Sequence, residues 1–130
     1  MPSDVPAGFE PLDAPGGFVE HIGPLHARDG VIGLQVSERH LNAAGAVMGG
    51  LLATLADVAF GQAVRAAAEE DAVATVSLTT DYLRPGPAGA WLEARTEIEQ
   101  LGGRLAFGDC SITADGEEIV RARAVFAVRD

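Results

Sequence analysis

Downstream of residue 72, apolar and polar residues alternate in four successive stretches, and a period of two is the mark of a strand with one face turned inward. In residues 91–100, Leu92, Ala94, Thr96 and Ile98 share one face while Glu93, Arg95, Glu97 and Glu99 share the other. In residues 73–83, Val76, Leu78 and Tyr82 stand together against Thr75, Ser77, Thr79 and Asp81. Residues 104–113 and 118–128 complete the set. Asp115-Gly116 between them is a two-residue hairpin signal, and Gly102-Gly103 turns the chain back one strand earlier. The prolines within R-P-G-P-A-G, residues 84–89, end the first stretch because they cannot continue a paired ladder. Residues 31–37 alternate in the same manner and form a strand ahead of the others.

Between the first strand and the later four lies N-A-A-G-A-V-M-G-G-L-L-A-T-L-A-D-V-A-F-G-Q-A-V-R, residues 42–65, the long helical segment of the chain. From 51 to 68 it holds no proline, and its apolar residues fall on every side of a 3.6-residue wheel, which predicts a helix buried nearly all round. Thr54, Asp57, Gly61 and Arg65 form its polar stripe, expected at a cleft or an interface. Glu69-Glu70-Asp71 reads as a solvated break.

Strand, long helix, then a meander of four strands is an α+β order, met by an antiparallel sheet wrapped around one apolar helix. Residues 1–17, rich in Pro, Gly and Asp, show no periodicity and read as a loose lead-in to a single domain over 18–130. Residues 18–25 suit a short helix or an extended arm.

Composition narrows the chemistry. A net charge of −10 argues against nucleic acid and anionic membranes as partners, since both require accumulated positive charge. All nine cations are arginine, so lysine Schiff-base chemistry is excluded. No apolar run is expected to reach the roughly 20 residues that span a bilayer. The start MPSDVPAGFE lacks the basic and apolar regions of a signal peptide, so a cytoplasmic location is expected. The lone Cys110 has no disulfide partner and reads as a small buried strand residue. No P-loop, dinucleotide fingerprint or zinc spacing occurs, and neither a metal nor a redox cofactor is expected. His21, His26 and His40 read as structural or exposed.

Two features carry chemistry. An ionised Asp57 among Leu55, Ala56, Val58 and Ala59 is costly to desolvate unless something pairs with it or uses it. Gly49-Gly50 precedes the helix, where glycines let a ligand approach the backbone and first-turn N–H groups favour negative charge. Taken singly, each has a plainer reading, Asp57 as half of an ion pair and the glycines as a tight turn, and Asn42 nearby equally suits a turn on local hydrogen bonding alone.

The run N-A-A-G-A-V-M-G-G-L-L-A-T-L-A-D, continued by T-V-S-L-T-T-D-Y-L-R-P, resembles the hotdog-fold acyl-CoA thioesterases of the phenylacetate-pathway (PaaI) type. The resemblance extends over about residues 18–128. It implies a hotdog fold and hydrolysis of acyl-CoA thioesters, with coenzyme A present only as part of the substrate. By this resemblance Asp57 is the catalytic acid, and the Gly49 N–H polarises the thioester carbonyl, supported by Asn42. Thr75 helps place the water. Met48 stands where the family carries histidine, and with Gly50, Arg84 and Arg104 it falls among the expected substrate contacts. Leu51, Leu52 and Phe60 are expected to line an apolar acyl pocket. The resemblance also implies a homodimer with shared sites, commonly doubled to a homotetramer. Two other readings remain open: an acyl-CoA binder without turnover, and an acyl-thioester dehydratase. Acyl length, and whether Asp57 acts as base or nucleophile, are not encoded in the motif.

Overall fold

A computed structural model describes residues 5–13 and 15–128. One twisted antiparallel sheet of seven strands carries a long helix on its inner face. The strands are β1 (Glu10–Pro11), β2 (His26–Arg28), β3 (Val31–Gln35), β4 (Val73–Tyr82), β5 (Trp91–Leu101), β6 (Leu105–Ala114) and β7 (Glu117–Val128). The helices are α1 (Gly17–Ile22) and α2 (Gly49–Ala68). This is the hotdog architecture, and the α+β class read from the alternation stands.

Helix α2 packs across β5, β6, β7 and β4. It starts where Met48, extended at φ −60° and ψ 130°, gives way to Gly49, and it stops at Glu69, which takes the left-handed conformation at φ 53°. Its buried residues include Leu52, Leu55, Ala56, Ala59, Phe60 and Val64, at the three-and-four spacing of a single face. Each large aliphatic or aromatic side chain so buried contributes about 1.5–3 kcal/mol. Ala53, Thr54, Asp57, Val58 and Gln62 are only half-buried. The expected all-round burial is therefore corrected: within one chain the sheet covers one side, and the other is partly open. Twenty residues at this hydropathy also suffice, by length and composition alone, to cross a membrane, contrary to the expected absence of such a run.

The expected four-strand meander is corrected as well. The sheet order is β1-β2-β3-β5-β6-β7-β4, so β5, β6 and β7 form a meander while β4 lies at the far edge beside β7, and β5 returns to β3. Three strands separate β3 from β4, roughly 19 Å at about 4.8 Å per step. A helix of 20 residues crosses that width readily.

Strand β4 carries a bulge at Val76, where its register to β7 shifts between Thr75 and Ser77. A bulge adds one residue and reverses the alternation beyond it. Val76 is 59% exposed, and Thr75 shares the helix-facing side with Leu78 and Tyr82 rather than opposing them.

The lead-in segment joins the sheet: Glu10 and Pro11 pair with Ala27 and His26. Phe9 is buried edge-to-face against Trp91, with ring centroids 5.1 Å apart, and the Arg28 guanidinium lies over it. Of residues 18–25, the first five are helical as the end of α1. Cys110 is buried in the core, as expected of a small strand residue, and burial raises its thiol pKa to about 11.

Candidate active site

The loop entering α2 is held from below by His40. Its Nδ1 accepts the Ser37 N–H at 2.9 Å, so Nε2 carries the proton and donates to the Ile22 carbonyl at 2.6 Å. The side chain is buried, and desolvation, aided by the Arg39 charge, holds its pKa below the usual histidine value. The His40 carbonyl accepts the Met48 N–H at 2.9 Å, so this histidine anchors the loop from beneath. Asn42 shapes the loop's tip. Its Oδ1 accepts the N–H groups of Ala44 at 2.9 Å and Ala46 at 3.1 Å, and Gly45 takes φ 87°. That is the turn-forming role open to asparagine, and it occupies the side-chain oxygen.

At the start of α2 the Met48 carbonyl accepts the N–H groups of Leu51 and Leu52. The N–H groups of Gly49 and Gly50 therefore lie ahead of the first intrahelical acceptor, at the positive end of a 20-residue helix. Tyr82 closes over this end: its hydroxyl donates to the Gly49 carbonyl at 2.8 Å, and a Cβ on Gly49 would meet its ring at 3.5 Å. The sequence reading missed Tyr82 as a site residue, although Y-L-R-P in the motif pointed to it. Polarising the Gly49 carbonyl makes the N–H of the same peptide unit, that of Gly50, a stronger donor.

Asp57 is half-buried on the side of α2 that faces the edge strand, and the Thr75 hydroxyl donates to its Oδ1 at 2.6 Å. Gly61, expected beside it on an open polar stripe, is instead covered by Phe126, whose ring would lie 3.2 Å from an added Cβ. Phe60, expected to line the acyl pocket, is fully buried against the same phenyl ring, and Leu52 is 2% exposed; only Leu51 and Leu52 border open grooves. Along the helix Gly49 and Asp57 are separated by about 12 Å.

A groove of about 500 Å³ opens beside the glycine end, lined by Asn42, Gly49, Leu52, Tyr82, Arg84 and Pro85 among others. Arg84 donates to the Glu118 carbonyl at 2.8 Å and lies 3.5 Å from Glu117, both exposed. Arg104 stands far from it, on the turn between β5 and β6, where its carbonyl accepts the Val128 N–H. Within one chain, then, Asn42, Met48, Gly49, Gly50 and Arg84 cluster at one end of α2, Asp57 and Thr75 pair partway along it, and Arg104 joins neither group.

The thioesterase superfamily model matches residues 44–120, which contain the glycine pair, Asp57, Thr75 and Tyr82. A Pseudomonas aeruginosa protein named "Putative esterase PA0474" is 34% identical over 129 residues, covering 95% of this chain and 96% of that one. A mutant of the phenylacetic acid degradation protein PaaI from Thermus thermophilus superposes with a TM-score of 0.76 at 29% identity, over 86% of this chain and 98% of that one. A hypothetical thioesterase from Streptococcus pneumoniae, solved with coenzyme A, gives a TM-score of 0.70 at 27% identity, over 75% of this chain and 78% of that one. Matched by the family model over residues 44–120 and by these relatives over most of its length, the chain belongs to the thioesterase superfamily and has the hotdog fold of the PaaI type.

Proposed function

We propose that this chain hydrolyses acyl-CoA thioesters in a homodimer or a larger assembly of dimers. The observation that carries the reading is one helix bearing both halves of an acyl-transfer site: unengaged N–H groups at Gly49-Gly50 and a carboxylate, Asp57, held by Thr75 on its less covered side. Membership of the superfamily supports the reaction class, and the coenzyme A bound to the pneumococcal relative supports the substrate class.

In the reaction, the thioester oxygen sits against the Gly49-Gly50 N–H groups, where the charge developing on it meets donors already in place. Asp57 either takes a proton from water as that water adds to the carbonyl carbon, or adds itself to give a mixed anhydride that water then opens. On either route the C–S bond breaks, coenzyme A leaves as a thiolate that takes up a proton, and the acid is released. Thr75 fixes the orientation of Asp57 by its hydrogen bond.

The two halves lie too far apart to serve one carbon, since attack requires separations of about 3–3.5 Å. Two copies of α2, antiparallel across a two-fold axis, bring Gly49 of one chain toward Asp57 of the other. The half-covered side of α2 fits such a neighbour.

Thiol release from a panel of acyl-CoAs tests the reading. Release by the wild type, with loss of at least about a hundredfold in Asp57→Asn, is expected. Tight binding without release points to a binder, hydration of an enoyl-CoA without free thiol points to a dehydratase, and either result overturns the proposal.

A further inference from the structure

A second groove meets the glycine end of α2. It encloses about 220 Å³ and is walled by Phe18 and Ile22 of α1 with Met48, Gly50, Leu51 and Thr54 of the α2 entry. The groove beside Tyr82 is the larger of the two, at about 500 Å³. Its lining is mainly apolar, with Val47, Leu52, Leu83 and Pro85, and includes Asn42, Tyr82 and Arg84. In the smaller groove Phe18, Ile22, Met48 and Leu51 stand beside Arg39 and His40, and Phe18 at 66% and Met48 at 51% are unusually exposed. The Thr54 hydroxyl is turned back onto the Gly50 carbonyl at 2.9 Å. Arg39 borders the groove, but its guanidinium is bound by the carbonyls of His21 and Gly23, and the same bonds, with that from His40 to Ile22, fasten α1 beside the helix entry.

Gly49 lines one groove and Gly50 the other, so a thioester carbonyl placed on their N–H groups has a larger groove carrying Asn42, Tyr82 and Arg84 on one side and a smaller one edged by the exposed Phe18 and Met48 on the other. A thioester likewise has two unequal arms: a long, amide-rich, phosphorylated thiol arm and, for a short acyl group, a compact apolar one. We infer that the acyl group lies in the groove between α1 and the entry of α2, and that Phe18 and Met48 set which acyl groups are accepted. The inference rests on the acyl-CoA reading above for the identity of the ligand. The groove is smaller than the roughly 300–1,000 Å³ of sites that enclose drug-sized ligands, which suits a short-to-medium alkyl chain or a single aromatic ring.

The test measures kcat/KM for acetyl-, hexanoyl- and benzoyl-CoA in the wild type, Met48→Trp and Phe18→Ala. Both positions are exposed, so neither change empties the core, and circular dichroism with a melting curve checks that each variant is folded. In Met48→Trp, which fills the groove, the hexanoyl-to-acetyl and benzoyl-to-acetyl ratios are expected to fall about tenfold or more, the scale on which pocket contacts discriminate acyl size. Phe18→Ala removes one wall and is expected to lower the hexanoyl ratio by about threefold or more through KM. Dissociation constants of S-hexyl- and S-methyl-coenzyme A, thioethers that cannot be hydrolysed, give the same comparison with no turnover required. Ratios unchanged within twofold in both folded variants overturn the inference, even where thiol release proceeds. A shifted binding ratio without thiol release leaves the groove assignment standing and removes the hydrolase. Absence of both binding and release overturns both.

Discussion

The Thr75 hydroxyl reaches the Asp57 carboxylate at 2.6 Å from a strand whose alternation breaks at the next residue. Without the bulge at Val76, Thr75 would sit on the opposite side of β4 from Leu78 and Tyr82. With it, one strand faces the helix with Thr75 at the acid and Tyr82 at the glycine end, so the two expected halves of the chemistry are positioned by a single element.

Removing that hydroxyl is expected to loosen the acid without abolishing it. Thr75→Ala should lower kcat about tenfold, the worth of one hydrogen bond to a charged group, with little change in KM. Asp57→Asn should stay folded and change stability by no more than about 1 kcal/mol, because the group is only half-buried and loses a single partner. Steady-state kinetics with denaturant melts checks both, and a Thr75→Ala enzyme of wild-type kcat would remove the positioning role.

Shared sites make a prediction about mixtures. Gly49→Pro deletes the N–H while suiting the first helical position, and Met48 already has the extended backbone that a following proline requires. Gly49→Pro and Asp57→Ala should each be inactive alone. Co-refolded in equal amounts they should recover roughly a quarter of the wild-type activity, because half of the dimers are hybrids and each hybrid keeps one complete site. Proven hybrids with no recovery would place both groups within one chain.

Tyr82→Phe keeps the ring over Gly49 and loses the donor to its carbonyl. Stability should drop by about 0.5–1.5 kcal/mol, and kcat should fall by a similar free energy, roughly twofold to tenfold, while KM holds. A change confined to KM would assign Tyr82 to substrate contact instead.

His40 gives stability a pH dependence with a definite sign. Its folded pKa lies below the ordinary value of 6.5, chiefly through desolvation, so the unfolded chain takes up the proton first on acidification. The contribution is complete above about pH 7.5 and is lost as the pH falls through 6.5 toward the folded value. Denaturant melts should therefore weaken between about pH 7.5 and 5.5 in the wild type, and this slope should flatten in His40→Gln. An equal slope in the variant would assign the titration elsewhere.

The elements themselves were legible in the residues. Five strands and the long helix fall near their expected places, the Asp115-Gly116 turn joins β6 to β7, and Asp57 stands on α2 as expected, while Gly49 and Gly50, expected just ahead of the helix, are its first two residues. These features are local: side-chain periodicity, turn-forming glycine and the lack of Cβ act over a few residues, so the chain carries them without reference to its neighbours in space. Tertiary structure decided the rest. Alternation states which face of β4 is apolar, but not that β4 lies beside β7, nor that a bulge at Val76 turns Thr75 toward Asp57. Gly61 read as open because glycine carries no hydrophobic signal, and only the approach of Phe126 from β7 buries it. Asn42 suited a catalytic pattern and a turn equally well, and the turn is visible only in the fold, where its oxygen accepts the N–H groups of Ala44 and Ala46 while its amide N–H groups take no part. Tyr82 read as a strand residue because its partner, the Gly49 carbonyl, lies 33 positions away and meets it only once α2 has crossed the sheet.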